Sequence, residues 1–140
     1  KRLDIAQAAV ALLRERVPEV ELVAVSNRPH EEIPLYMNAC DVFVLTSDTE
    51  GSPQVIKEAM ACNLPIVSVD VGDVAQVIGG TEGCYLCARS PADVADKLAL
   101  ALARGQRTDG RAAVAHLSLE RIAEQVIGIY RHVLAERGAR

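Results

Sequence analysis

Apolar positions along this chain switch repeatedly between a helical and an extended spacing. Leu3, Ala6, Val10, Leu13 and Val17 recur at intervals of three and four, which predicts one apolar stripe on a helix over residues 3–17, stopped by Pro18. Residues 21–26, Glu-Leu-Val-Ala-Val-Ser, read as a strand, followed by a polar loop over 27–32 and a short helix over 33–40. The apolar run Asp41-Val-Phe-Val-Leu45 reads as a buried strand, and Gln54-Val-Ile-Lys-Glu-Ala-Met-Ala61 as a helix. A strand over 65–70, a short helix over 74–78 and a strand over 84–87 come next. Ser90-Pro91-Ala-Asp93 has the form of a capping box, so a helix is expected from 91 to about 103. After a polar break over 105–110, Leu119, Ile122, Val126, Ile129 and Val133 mark a long final helix capped by Ser118, with a frayed tail over 136–140.

Strands alternating with helices predict right-handed crossovers and a parallel sheet covered on both faces. The fold class is therefore α/β, a Rossmann-like three-layer α/β/α domain. Composition agrees: 140 residues fit one domain, and the apolar fraction is 50% with only 3% aromatic, so Val, Leu, Ile and Ala must fill the interior. The net charge of −4, with Lys and Arg scattered, gives no electrostatic footprint for nucleic acid. No apolar run approaches the ~18 residues of a membrane span and no signal peptide opens the chain, so a cytoplasmic domain is expected.

In a sheet of this kind ligands bind beyond the carboxyl ends of the strands, where the loops at 46–52 and 71–73 fall. The first of these runs directly into the helix that begins near Pro53. The leading amides of that helix lack intrahelical partners and attract anions. Ser52 reads as its cap and Pro53 as its first residue, since proline's missing N–H is no loss there. Glu58 lies a little over one turn in, on the same side as Gln54. An anion at the amides beside a hydroxyl-bearing group at Glu58 is what a nucleoside diphosphate offers; the plainer alternative for Glu58 is a solvated helix acid.

The string Glu50-Gly-Ser-Pro-Gln-Val-Ile-Lys-Glu58-Ala-Met-Ala-Cys-Asn-Leu-Pro65-Ile-Val, with the following Asp70-Val-Gly-Asp73, resembles the signature of the retaining glycosyltransferases of family 4. These are two-domain enzymes of the GT-B fold, and the chain resembles their donor-binding C-terminal domain over its whole length. The resemblance implies transfer of a sugar from a nucleotide diphosphate sugar to an acceptor with retention; with amides, a helix end and a lysine to stabilise the departing diphosphate and no metal-ligand cluster in the sequence, no metal or other cofactor is expected. It implies that Glu58 accepts from the ribose hydroxyls and that Glu50 faces the donor sugar or reacting centre. Gly51, Ser52, Pro53, Gln54 and Val55 would line the sugar and diphosphate, through the amides of Ser52, Gln54 and Val55. Lys1 aligns with a lysine that neutralises the diphosphate, and Arg2 stands where relatives carry glycine. Gly51-Ser-Pro53 replaces the commoner Gly-Phe-Gly, which removes one amide and leaves the sugar open. With Lys-Arg at its start, the chain reads as a fragment (1–140) whose first strand and acceptor-binding N-terminal domain are absent.

The remaining candidates carry less. His30 lies at a strand's end, where a base contact is conceivable, and Gly72 and Asp73 would shape the rim of the site. Cys84 and Cys87 have C-x-x-C spacing but sit on a strand, with Cys40 and Cys62 far off in sequence, so all four are expected as packed, reduced thiols rather than metal ligands. Two other classes stay open, a non-catalytic nucleotide-binding or interaction module and a receiver or flavodoxin-like domain.

Overall fold

Three short parallel strands carry the core of the chain, whose computed structural model describes residues 1–138. They are β1 (Phe43–Leu45), β2 (Ile66–Val69) and β3 (Cys84–Cys87), in the order β1-β2-β3, with Phe43 opposite Ile66 and Ile66 opposite Cys84. β2 is buried along its whole length because helices cover both faces. On one face lie α2 (Ile33–Ala39), α3 (Gln54–Ala61) and α4 (Val74–Ile78), which meet Ile66 through Met37, Ile56, Met60 and Val74. On the other lie α1 (Leu3–Leu13) and α5 (Pro91–Arg104), which meet Val67 through Ile5, Val10, Leu13, Val94 and Leu98. Each fully buried aliphatic side chain here contributes about 1.5–3 kcal/mol. The α/β/α architecture read from the alternating pattern is the one observed.

Local signals explain where the helices stop. Asn63 takes a left-handed φ of 55°, and Leu64 N–H donates to Ala59 O at 3.0 Å while Asn63 N–H donates to Met60 O at 2.9 Å. That pair of bonds is a Schellman ending for α3, with asparagine in the place glycine usually takes. Arg111 Nε adds a bond to Ala61 O at 2.6 Å, and the Arg107 guanidinium ties up the carbonyls of Met37, Asn38 and Cys40 at the end of α2. At the start of α5, Ser90 Oγ accepts from Asp93 N–H at 3.1 Å, while the Asp93 carboxylate reaches back to Ala88 N–H at 2.6 Å. The capping box is therefore present with its return bond displaced by two residues.

Several expectations need correction. The first helix ends at Leu13 rather than 17, because Glu15 and Arg16 bond to carbonyls three residues back and wind the chain into a turn. Residues 21–26 form no strand: Leu22 packs on the α1–α5 cluster, but Val23 and Val25 are exposed and the backbone joins no ladder. Between the polar break over 105–110 and the last helix stand two elements that were not expected, a short helix α6 (Gly110–Ala113) and a single 3₁₀ turn at Ala115–Leu117. The last helix, α7 (Leu119–Gly138), continues through the expected frayed tail as far as 138, and residues 139–140 lie outside the described residues. Its apolar stripe is left uncovered, Leu119 being 85% and Ile129 65% exposed. No helix among the described residues is long and apolar enough to cross a membrane.

The four cysteines are free, half-buried thiols. Burial, with Asp93 second, pushes the Cys87 thiol up to about 11, and burial likewise raises Cys84. Only the thiolate reacts, so iodoacetamide at pH 8 should label Cys87 in the folded chain roughly tenfold or more slowly than in urea, as read by mass spectrometry. Equal folded and unfolded rates would contradict this placement of β3.

Candidate functional site

Loops from all three strands meet at the carboxyl edge of the sheet, around the one that follows β1. That loop is fixed first by its own buried start. Thr46 Oγ1 donates to Arg2 O at 2.9 Å and lies 3.3 Å from Lys1 O, which draws the beginning of α1 onto the same edge. From the loop after β3, Arg89 Nη2 donates to Asp48 O at 2.9 Å and Nε to Ser47 O at 3.4 Å. From the loop after β2, Asp73 N–H donates to Gly51 O at 3.2 Å. Gly72, with φ 56°, passes so close that an added Cβ would stand 2.1 Å from Gly51 O. Only glycine accepts both that φ and that approach.

The loop then delivers the chain into α3. Pro53, with φ −67° and ψ 112°, is the cap itself, the helix begins at Gln54, and no side chain caps it. This corrects the expectation that Ser52 caps and Pro53 is the first helical residue. Ser52 is engaged elsewhere: its hydroxyl donates to Asp73 Oδ2 at 2.6 Å and accepts from the Lys57 ammonium. The N–H groups of Ser52, Gln54 and Val55 consequently find no acceptor among the described residues. Three open amides at a helix start form an anion-binding surface.

Charged side chains surround this surface. The Lys1 ammonium is bonded to the Glu50 carboxylate. Lys1 foremost, then the Ser47 hydroxyl, holds the Glu50 carboxyl below the usual carboxylate range, against a smaller opposing effect of burial. Ser47 Oγ is itself buried with no partner at full hydrogen-bond geometry, so its help to Glu50 is electrostatic. Arg2 occupies the left-handed region at φ 48° and forks onto Asp4, with a further contact to Asp48 at 3.3 Å. Its guanidinium is thus committed and is no substitute for a phosphate-binding lysine. Glu58 is one-third exposed, with His30 Nε2 3.9 Å from its carboxylate.

Lys1, Glu50 and the 51–55 segment are therefore gathered at one edge, and His30 stands beside Glu58. Lys57, Thr46 and Arg89 were not singled out from the sequence. Arg89 could have been found, since it lies in the loop after a strand on the ligand-binding edge. Lys57 gives no such signal, because its bond partners lie across a loop. A recess of about 330 Å³ lies at the opposite, amino-terminal edge, lined by Glu82, Arg104, Arg107, Thr108 and Asp109. Its arginines are already paired, Arg104 with Glu82 at 3.3 Å and Arg107 with the end of α2, so this open recess offers a ligand little free charge.

The family model described as glycosyl transferases group 1 matches residues 11–104. The D-inositol 3-phosphate glycosyltransferase of Acidothermus cellulolyticus is 30% identical over 78% of this chain and 25% of its own length. The amylovoran biosynthesis glycosyltransferase AmsK of Erwinia amylovora is 32% identical over 56% of this chain and 21% of its own. The chain thus spans a quarter or less of these curated relatives. Among solved structures, the sucrose-phosphate synthase of Thermosynechococcus elongatus superposes with a TM-score of 0.73 at 27% identity, over 93% of this chain and 34% of that one.

Two outcomes follow from the geometry of this edge. Gly72→Ala should lower unfolding stability by about 1–3 kcal/mol, read by urea titration, and an unmoved midpoint would show that the two loops do not touch as described. Glu50 has a lower midpoint folded than unfolded, so its contribution to stability is present above the unfolded midpoint and is lost as pH falls through the folded one. In ¹³C titration, Lys1→Met should raise the Glu50 midpoint toward the ordinary value of about 4.3, whereas an unchanged midpoint would contradict the pairing.

Proposed function

The chain belongs to the group 1 glycosyl transferases, and on that premise we propose that it is the donor-binding domain of a retaining enzyme. It holds a nucleotide diphosphate sugar while the sugar passes to an acceptor, and it works in the cytoplasm. The observation that carries this reading is the set of open amides of Ser52, Gln54 and Val55 lying between Glu50 and Glu58.

In this reading the diphosphate oxygens accept from the amides, and the helix end adds a partial positive charge. The Glu58 carboxylate accepts from the ribose hydroxyls, a charged hydrogen bond at each. As the bond from the anomeric carbon breaks, its electron pair leaves with the nucleoside diphosphate, whose charge grows. Lys1 meets that charge by sharing its ammonium between Glu50 and the phosphate. Glu50, whose carboxyl is held low, stays ionised at neutral pH and faces the sugar. With a lysine, a helix end and amides to stabilise the leaving group, the transfer is proposed to need no metal. Pro53 supplies no N–H, so this chain contacts the sugar through fewer amides than a Gly-Phe-Gly loop allows. The acceptor comes to this edge from outside the chain's own residues.

Isothermal titration calorimetry with UDP, GDP and ADP tests the reading. One of the three should bind, and Glu58→Ala should weaken it by about 1.5–3 kcal/mol, the scale of a hydrogen bond to a charge. Affinity unchanged by that substitution would remove Glu58 from the site, and no binding of any of the three would remove the donor reading itself.

A further inference from the structure

One charged cluster at this edge takes no part in the chemistry above. Lys57 stands one residue before Glu58, and its side chain is 20% exposed. Its ammonium donates to Ser52 Oγ and lies 3.7 Å from Asp73 Oδ2. Ser52 has a single O–H, which it gives to Asp73 Oδ2 at 2.6 Å. The polarity of the chain of bonds is therefore fixed, from Lys57 to Ser52 to Asp73. The other carboxylate oxygen, Asp73 Oδ1, is buried with no partner, a penalty the cluster retains.

As a stabilising feature this is weak, since partly exposed ion pairs of this kind contribute about 0–1 kcal/mol. Its geometric effect is larger. Although Pro53 is the cap, a serine in the loop before a helix readily turns its hydroxyl onto the N–H two residues on, as in an ST-turn, which from Ser52 is that of Gln54, beside the N–H of Val55. A Ser52 hydroxyl seated there would occupy the place an anion needs. Here it is drawn the other way, toward the loop after β2, and those amides stay open.

We propose that Lys57 and Asp73 are positioning residues that hold the Ser52 hydroxyl off the start of α3, keeping the Gln54 and Val55 amides open for phosphate oxygens. The inference rests on the reading that this edge takes a nucleoside diphosphate. Without the brace, Ser52 rotates onto the helix end and competes with the ligand for the same donors. Loss of the brace then weakens the phosphate contacts and leaves the ribose contact at Glu58 alone. It also follows that deleting the hydroxyl makes the brace unnecessary.

The test uses the same chain with UDP, GDP and ADP by calorimetry, and uridine, guanosine and adenosine by NMR titration. Lys57→Met and Asp73→Asn should each weaken the diphosphate that binds about fivefold to thirtyfold, the range of a helix cap, while leaving the matching nucleoside's affinity unchanged. Lys57→Arg should bind as the parent chain does. The decisive variant is Lys57→Met combined with Ser52→Ala, which should return diphosphate affinity to that of the parent. Affinity left as low as in Lys57→Met alone would mean that Lys57 acts through its own charge and would overturn the proposal. So would equal losses for nucleoside and diphosphate, or a diphosphate affinity that Glu58→Ala lowers and Lys57→Met does not. If none of UDP, GDP and ADP binds the parent chain, the donor reading fails and this inference with it.

Discussion

Asp73 N–H donates to Gly51 O across the 3.2 Å between the loops that leave β1 and β2, and Gly72 makes the approach possible by having no side chain. Most other features of the carboxyl edge depend on that contact. Two residues beyond it the chain enters α3, with Pro53 rather than Ser52 as the cap. The contact also carries the Asp73 carboxylate to within reach of Ser52 and Lys57. A side chain at 72 would push the two backbones apart and dissolve all of these relations together.

The edge is crowded with charge, yet much of it is already paired. Lys1 holds Glu50, Arg2 holds Asp4 and Asp48, and Lys57 holds Ser52 beside Asp73. Pairs that reach solvent in this way contribute little to stability. The amides at the start of α3 remain unpaired, and so do the buried Ser47 Oγ and Asp73 Oδ1. A phosphate group can therefore enter without displacing a buried ion pair, and Lys1 can turn toward it while Glu50 keeps its proton off. The chain shares its family with known glycosyltransferases and its fold with a sucrose-phosphate synthase.

The layers of the fold were legible because burial on both faces leaves a strong mark. Ile66-Val-Ser-Val69 could hardly be anything but an inner strand, and the spacing of Leu3, Ala6, Val10 and Leu13 could serve only one helix face. Residues 21–26 misled for a related reason. Their composition suits a strand, but a strand exists only where another pairs with it, and no local pattern records whether a neighbour is there. At the candidate site, Glu50 and Glu58 were singled out by the string that contains them, and the structure places Glu50 on Lys1 and Glu58 beside His30. The role of Ser52 was not, because its bond partners come from a helix turn beyond it and a loop 21 residues away in sequence. A cap and a brace begin from the same residue type, and only the tertiary contact decides between them.

The central claim is that the edge formed by Glu50, the 51–55 amides and Glu58 is where this chain takes its ligand. The most direct measurement is a crystal structure of the chain with a nucleoside diphosphate sugar whose nucleoside diphosphate binds in solution. The account predicts diphosphate density on the amides of Gln54 and Val55 with the ribose hydroxyls on Glu58. Density at the amino-terminal edge instead, among Glu82, Arg104 and Arg107, with the α3 amides bare, would contradict it.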